Sequence, residues 1–151
     1  ILKRNINYCL NNNFIDNTFN FIDIGTGSGL LMHYVLNNLD YFQSYQGIEF
    51  EKNFFEIGKK NLINYRHKNL SLFYMDARNF FLEDKKLLIY LYNPFKFDIL
   101  KIFLQNNYEN INNNKSVIIY HNDIYLEEIK KEFKFKYIEI FLGTSFILPK
   151  N

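Results

Sequence analysis

Apolar and polar positions along this 151-residue chain follow two alternating rhythms. Short, nearly continuous apolar runs occupy 21–24, 45–50, 70–74, 87–92 and 117–120, as expected of strands covered on both faces. Between them the spacing turns helical. Leu31, Val35 and Leu39 share a face over 30–39, with Met32 and Leu36 beside it, and Phe54, Phe55, Gly58 and Leu62 share one over 51–63. Ile99, Ile102 and Phe103 open a further helix, and the asparagine-rich stretch 105–114 reads as including a loop. Tyr125, Leu126, Ile129 and Phe133 stripe the next helix, and residues 1–12 predict another. Two last strand-like runs, 135–142 and 145–148, are separated only by Gly143-Thr144. A parallel crossover needs a dozen or more residues, so these two must form an antiparallel hairpin. The expected fold is therefore α/β: a doubly wound, mostly parallel, seven-stranded sheet with a C-terminal antiparallel hairpin and helices on both faces. One domain spans 1–151, with 1–13 a helical extension and 14–151 the core.

Composition narrows the picture modestly. Hydrophobic residues make up 48% and aromatics 19%, which argues for a folded core despite the many asparagines. A net charge of +2 lacks the strong basic stripe of a dedicated nucleic-acid binder. Cys9 is the sole cysteine, and His33, His67 and His121 lie far apart, so neither a disulfide framework nor a metal is expected. No run approaches the roughly 18 apolar residues of a membrane span, and no secretory signal is visible. The expectation is a cytoplasmic protein without a membrane or metal partner.

Three of the six glycines fall within five positions, in Phe21-Ile22-Asp23-Ile24-Gly25-Thr26-Gly27-Ser28-Gly29-Leu30. An apolar strand thus runs into a glycine turn and then a helix, whose first N–H groups and dipole face whatever lies over the turn. The spacing is G-x-G-x-G, one residue short of the dinucleotide G-x-G-x-x-G, which disfavours a nicotinamide oxidoreductase. Glu49 follows Gly29 by 20 positions and ends the second strand, where a carboxylate can accept from both hydroxyls of a ribose. Asp76 ends the third strand, where it can receive an adenine amino group. The plainer alternatives are a solvated strand end for Glu49 and a helix N-cap over 77–80 for Asp76.

On these residues the chain resembles the class I S-adenosylmethionine-dependent methyltransferases over about residues 14–150, a Rossmann-like family. The resemblance implies S-adenosylmethionine as cofactor. Asp23 and the backbone of Gly25, Thr26, Gly27 and Gly29 would hold its methionine end, and Glu49 its ribose. Ile48 and Phe50 would flank the adenine, and Asp76 with Ala77 would read its edge. Asn93-Pro94-Phe95, just after the central strand, resembles the Asn-Pro-Pro-aromatic motif of amine- and amide-directed methyltransferases, with one proline fewer. Asn93 would then border the cofactor and, with Pro94 and Phe95, form the catalytic turn; otherwise it is a strand-terminating turn. Tyr92, Asp98, Tyr120 and His121 are near enough in this topology to assist deprotonation.

The function this implies is methylation of nitrogen on a protein amine or amide, or on a small amine. The alternatives are an RNA or DNA amino-group methyltransferase, working with a partner subunit, and a non-catalytic scaffold that binds cofactor.

Overall fold

The five apolar runs become five parallel strands, β1 (Asn20–Ile24), β2 (Tyr45–Glu49), β3 (Leu70–Tyr74), β4 (Leu87–Tyr92) and β5 (Val117–His121), in the computed structural model. The structure describes residues 1–92, 95–140 and 143–150, with Arg66 described by its backbone alone. The C-terminal hairpin consists of β6 (Lys136–Ile140) and β7 (Thr144–Leu148), and β7 runs antiparallel to both β5 and β6. Strand order in the seven-stranded sheet is β3-β2-β1-β4-β5-β7-β6. The order reverses between β1 and β4, which opens a crevice at the carboxyl ends of the central strands.

Alternation along the strands divides the core in two. Phe21, Leu88, Tyr90, Ile119 and Phe146 point to one face, under α1 (Leu2–Asn11) and α2 (Leu30–Asn38). Their neighbours Ile22, Ile89, Leu91, Ile118 and Ile147 point to the other, under α4 (Phe97–Asn113) and α5 (Leu126–Glu132). A strand buried on both faces gains nothing from polar residues on either, which explains the unbroken apolar runs. The predicted N-terminal helix forms and contributes Leu2, Ile6 and Cys9 to the first cluster.

Three details differ from the sequence reading. In α2 the buried residues are Met32, Val35 and Leu36, and Leu31 is half-buried. In α3 (Lys52–Asn61) Gly58 is buried but Phe54 is exposed rather than inward. The stretch 105–113 is helical, because α4 continues through it, and Ile102 lies outside its buried stripe of Leu100, Phe103, Leu104, Asn107 and Ile111.

The asparagines explain that helix. Asn107 is buried; its Oδ1 accepts from the Leu82 amide at 2.7 Å, and its Nδ2 donates to the carbonyls of Phe80 and Phe103, each at 2.9 Å. Asn106 and Asn110 donate to the carbonyls of Arg78 and Leu82. The side chains thus satisfy the irregular segment leading into β4, which has no ladder of its own. Asn107→Ala leaves the buried Leu82 amide without its acceptor and should cost about 3 kcal/mol. Urea unfolding would show this as a lowered midpoint with unchanged slope; an unchanged midpoint would contradict it.

Candidate functional site

The turn after β1 is built by three glycines with positive φ, at +81° (Gly25), +57° (Gly27) and +78° (Gly29). Its amides are tied to the end of β2: those of Gly25 and Thr26 both donate to the Ile48 carbonyl, at 3.0 and 2.9 Å. The Gly27 amide donates to Glu49 Oε2 at 2.7 Å, and the Glu51 amide donates to Glu49 Oε1 at 2.7 Å. Glu49 is thus not a solvated strand end; it bridges the glycine turn to the start of α3.

The two later glycines of the turn have opposite surroundings. A Cβ at Gly29 would lie 2.8 Å from Leu62 Cδ1, so the backbone there is packed against the end of α3. A Cβ at Gly27 would meet nothing within 4 Å. Gly27 therefore faces open space. That space is a cleft of about 410 Å³ at the carboxyl ends of β1 to β3.

The cleft gathers most of the residues singled out from sequence. Gly25, Gly27, Ile48, Glu49 and Phe50 line one side, and Asp76, Ala77 and Phe95 the other. Asp23 at the end of β1 and Thr26 within the turn are buried, and Gly29 is turned toward Leu62. Asn93 and Pro94 lie outside the described residues. Sequence reasoning missed Glu51, Phe54, Met75, Arg78 and Ile99, which also line the cleft. Phe54 and Ile99 carried a signal, since both are apolar beside the predicted site, but periodicity alone assigned them to helices packing inward.

Asp76 caps the turn that follows it and also lines the cleft. It caps the short 3₁₀ turn Ala77–Asn79 by accepting from the Arg78 amide at 2.9 Å, while its side chain remains on the cleft wall. Arg78 Nη2 reaches its Oδ2 at 2.6 Å, and these hydrogen bonds hold the Asp76 carboxyl below the usual carboxylate range. Asp76 is thus ionised and oriented.

At the ends of β4 and β5, the exposed Tyr92 ring lies over His121 with centroids 4.9 Å apart. His121 Nδ1 is hydrogen bonded to Thr144 Oγ1 at 2.6 Å, and burial pushes the imidazole below its ordinary value. Tyr120 precedes His121 on β5. It is fully buried in the opposite core cluster, and burial pushes its hydroxyl up to about 12.

No family model and no curated protein matches the sequence. Solved structures do match. A methyltransferase dependent on S-adenosylmethionine from Aquifex aeolicus superposes with a TM-score of 0.64 at 11% identity, over 92% of this chain and 86% of that one. A putative methyltransferase from Escherichia coli gives 0.63 at 15% identity, over 97% and 82%. An rRNA methylase from Streptococcus thermophilus gives 0.59 at 12% identity, over 91% and 90%. The fold is the class I methyltransferase fold. Among the described residues of this methyltransferase-fold chain, no cluster of His, Cys, Asp and Glu could hold a metal, and no helix is long and apolar enough to cross a membrane.

The buried acid under the glycine turn gives the fold a pH dependence. Burial raises the Asp23 carboxyl to about 7, and the Glu49 charge adds to the rise. Between the ordinary carboxyl value of about 3.8 and about 7, the folded state therefore binds a proton that the unfolded chain has released. Stability from this group falls as pH rises through that window and is fully lost above it. His121, with its lowered pKa, acts in the opposite direction near its own titration. Comparison with Asp23→Asn isolates the acid: the ligand-free protein should lose more melting temperature between about pH 5 and about pH 8 than the variant. Parallel curves for the two would refute it.

Proposed function

We propose that this protein is an S-adenosylmethionine-dependent methyltransferase that acts on nitrogen. The observation that carries the reading is the convergence of three features on one cleft: the open space over Gly27, the Glu49 carboxylate and the Asp76 carboxylate. These residues fit the cofactor. The Gly27 cradle would be filled by any Cβ, two acids stand at the ends of neighbouring strands, and the exposed rings of Phe50 and Phe54 flank the cleft. Glu49 would take the ribose hydroxyls, and Ile48 and Phe50 would sandwich the adenine. Asp76 would accept from the adenine amino group while Ala77 packs beside it. Asp23 and the turn from Gly25 through Thr26 to Gly29 would hold the methionine end.

The cofactor's sulfonium supplies an already activated methyl group, so the protein's task is alignment, which can contribute on the order of 7–11 kcal/mol. Asn93 and Pro94 would accept from the N–H groups of the methyl acceptor, orienting its lone pair, and Phe95 would pack against it. If the acceptor is an ammonium, it has to lose a proton before transfer. His121 would be the group to take it: burial lowers its pKa, which favours the neutral ring, and Thr144 engages its Nδ1.

The acceptor we favour is a protein amine or amide, or a small amine; a nucleic-acid amino group is the alternative. Structures with this fold include an rRNA methylase and a ribosomal protein L11 methylase, so the scaffold serves both classes. Calorimetric titration with S-adenosylmethionine and S-adenosylhomocysteine, with NAD as control, tests the cofactor assignment. Micromolar binding of the first two alone supports it. Failure of both, or binding of NAD, overturns it.

A further inference from the structure

A second cavity, of about 580 Å³, lies between α1 and the edge strand β6, lined by Arg4, Asn5, Tyr8, Glu139 and Ile140. None of these lines the cofactor cleft, and β6 is at the opposite edge of the sheet from β3. Asn5 is the unusual member. It is 0% exposed, on the helix face that carries Leu2, Ile6 and Cys9 into the core. Among the described residues, neither its Oδ1 nor its Nδ2 has a hydrogen-bond partner. Burying both ends of an amide unpaired is costly, and an apolar residue at this position would avoid the cost.

The neighbours of Asn5 indicate what would pair with it. The Tyr8 ring is held flat against Phe146, with centroids 5.0 Å apart and planes within 7°. Arg4 makes no ion pair among the described residues, whereas Glu139 is already neutralised by Lys130. A second depression shares Arg4 and Tyr8 and continues over the outside of α1 past Lys3, Asn7 and Asn11.

We propose that this cavity is a nucleobase site, in which Asn5 pairs with the base edge, Tyr8 supports the ring and Arg4 meets a phosphate. An asparagine amide presents one donor and one acceptor side by side, which matches the N6–H and N7 edge of adenine. A fixed aromatic ring is a stacking platform for bases, and a guanidinium is suited to phosphate oxygens. A peptide amide would satisfy Asn5 but would use neither the platform nor the cation. Pairing requires the Asn5 side chain to swing into the cavity, which gains it both missing partners. The inference is independent of the methyl-transfer reading.

Titration with adenosine 5′-monophosphate, followed by backbone amide NMR, tests it directly. Shifts should appear at Asn5, Tyr8, Glu139 and Ile140. Asn5→Leu should weaken binding roughly tenfold or more and also raise the melting temperature, since it removes a buried unpaired amide. Arg4→Ala, at an exposed position, should weaken the nucleotide roughly tenfold while leaving adenosine unaffected. A hexa-adenylate that binds more tightly than the mononucleotide assigns the site to a nucleic-acid strand; equal affinity assigns it to a free nucleotide. Absence of binding by either, shifts confined to Gly27, Ile48 and Ala77, or affinity indifferent to both variants would overturn the proposal.

Discussion

Gly27→Val abolishes binding of S-adenosylmethionine while the protein stays folded: this is the largest effect expected on the cofactor. A Cβ at Gly27 meets no protein atom within 4 Å, so the added side chain projects into the cleft rather than into the core. The fold is affected only through the backbone, because φ at this residue is +57°. A left-handed conformation costs an ordinary residue about 1–2 kcal/mol, and a β-branched one somewhat more. Melting temperature should therefore fall by a few degrees, whereas calorimetric heat from the cofactor should vanish. Gly29→Ala is the informative contrast. Its Cβ would press on Leu62 at 2.8 Å, so it should destabilise the packing of the turn on α3. Unchanged affinity in Gly27→Val would remove the glycine turn from the cofactor site.

Asn93→Ala is expected to have the largest effect on turnover. If its side-chain oxygen orients the acceptor nitrogen, removing it should lower the rate by a factor on the order of 10²–10³. Cofactor affinity should change little, because Glu49, Asp76 and the glycine turn remain. Transfer of a labelled methyl group, measured beside the calorimetric affinity, separates the two effects. Turnover equal to that of the wild type would make Asn93-Pro94-Phe95 a structural turn after β4. A parallel loss of affinity would place Asn93 on the cofactor instead.

The sheet and its hairpin were legible because each rests on strong local rules. A strand with two buried faces has to be apolar throughout, and two residues cannot make a parallel crossover. The cleft was legible through Gly25, Gly27, Glu49 and Asp76, whose spacing places them at the ends of adjacent strands. Helix faces were harder to read. Phe54 has the periodicity of a core residue, yet it is exposed on the cleft wall, because apolar spacing does not distinguish a face turned to the core from one turned to an open cleft. α4 was cut short because asparagine is a poor helix former that competes for backbone groups. Its partners, such as the Leu82 amide, come from 25 residues away in sequence and form no local pattern. Arg78 was missed for a related reason: nothing in its spacing shows that it closes back on Asp76.

The ties between the glycine turn and β2 bear on how readily the cleft can be filled. The amides of Gly25, Thr26 and Gly27 are already committed to Ile48 and Glu49, so the turn and the strand end form one rigid unit before any ligand arrives. Little conformational entropy is left to lose there on association. A newcomer that draws on the Gly27 amide exchanges one charged partner for another rather than ordering a loose loop. The receptor is preorganised, and what selects its occupant is how well that occupant competes with the protein's own carboxylate.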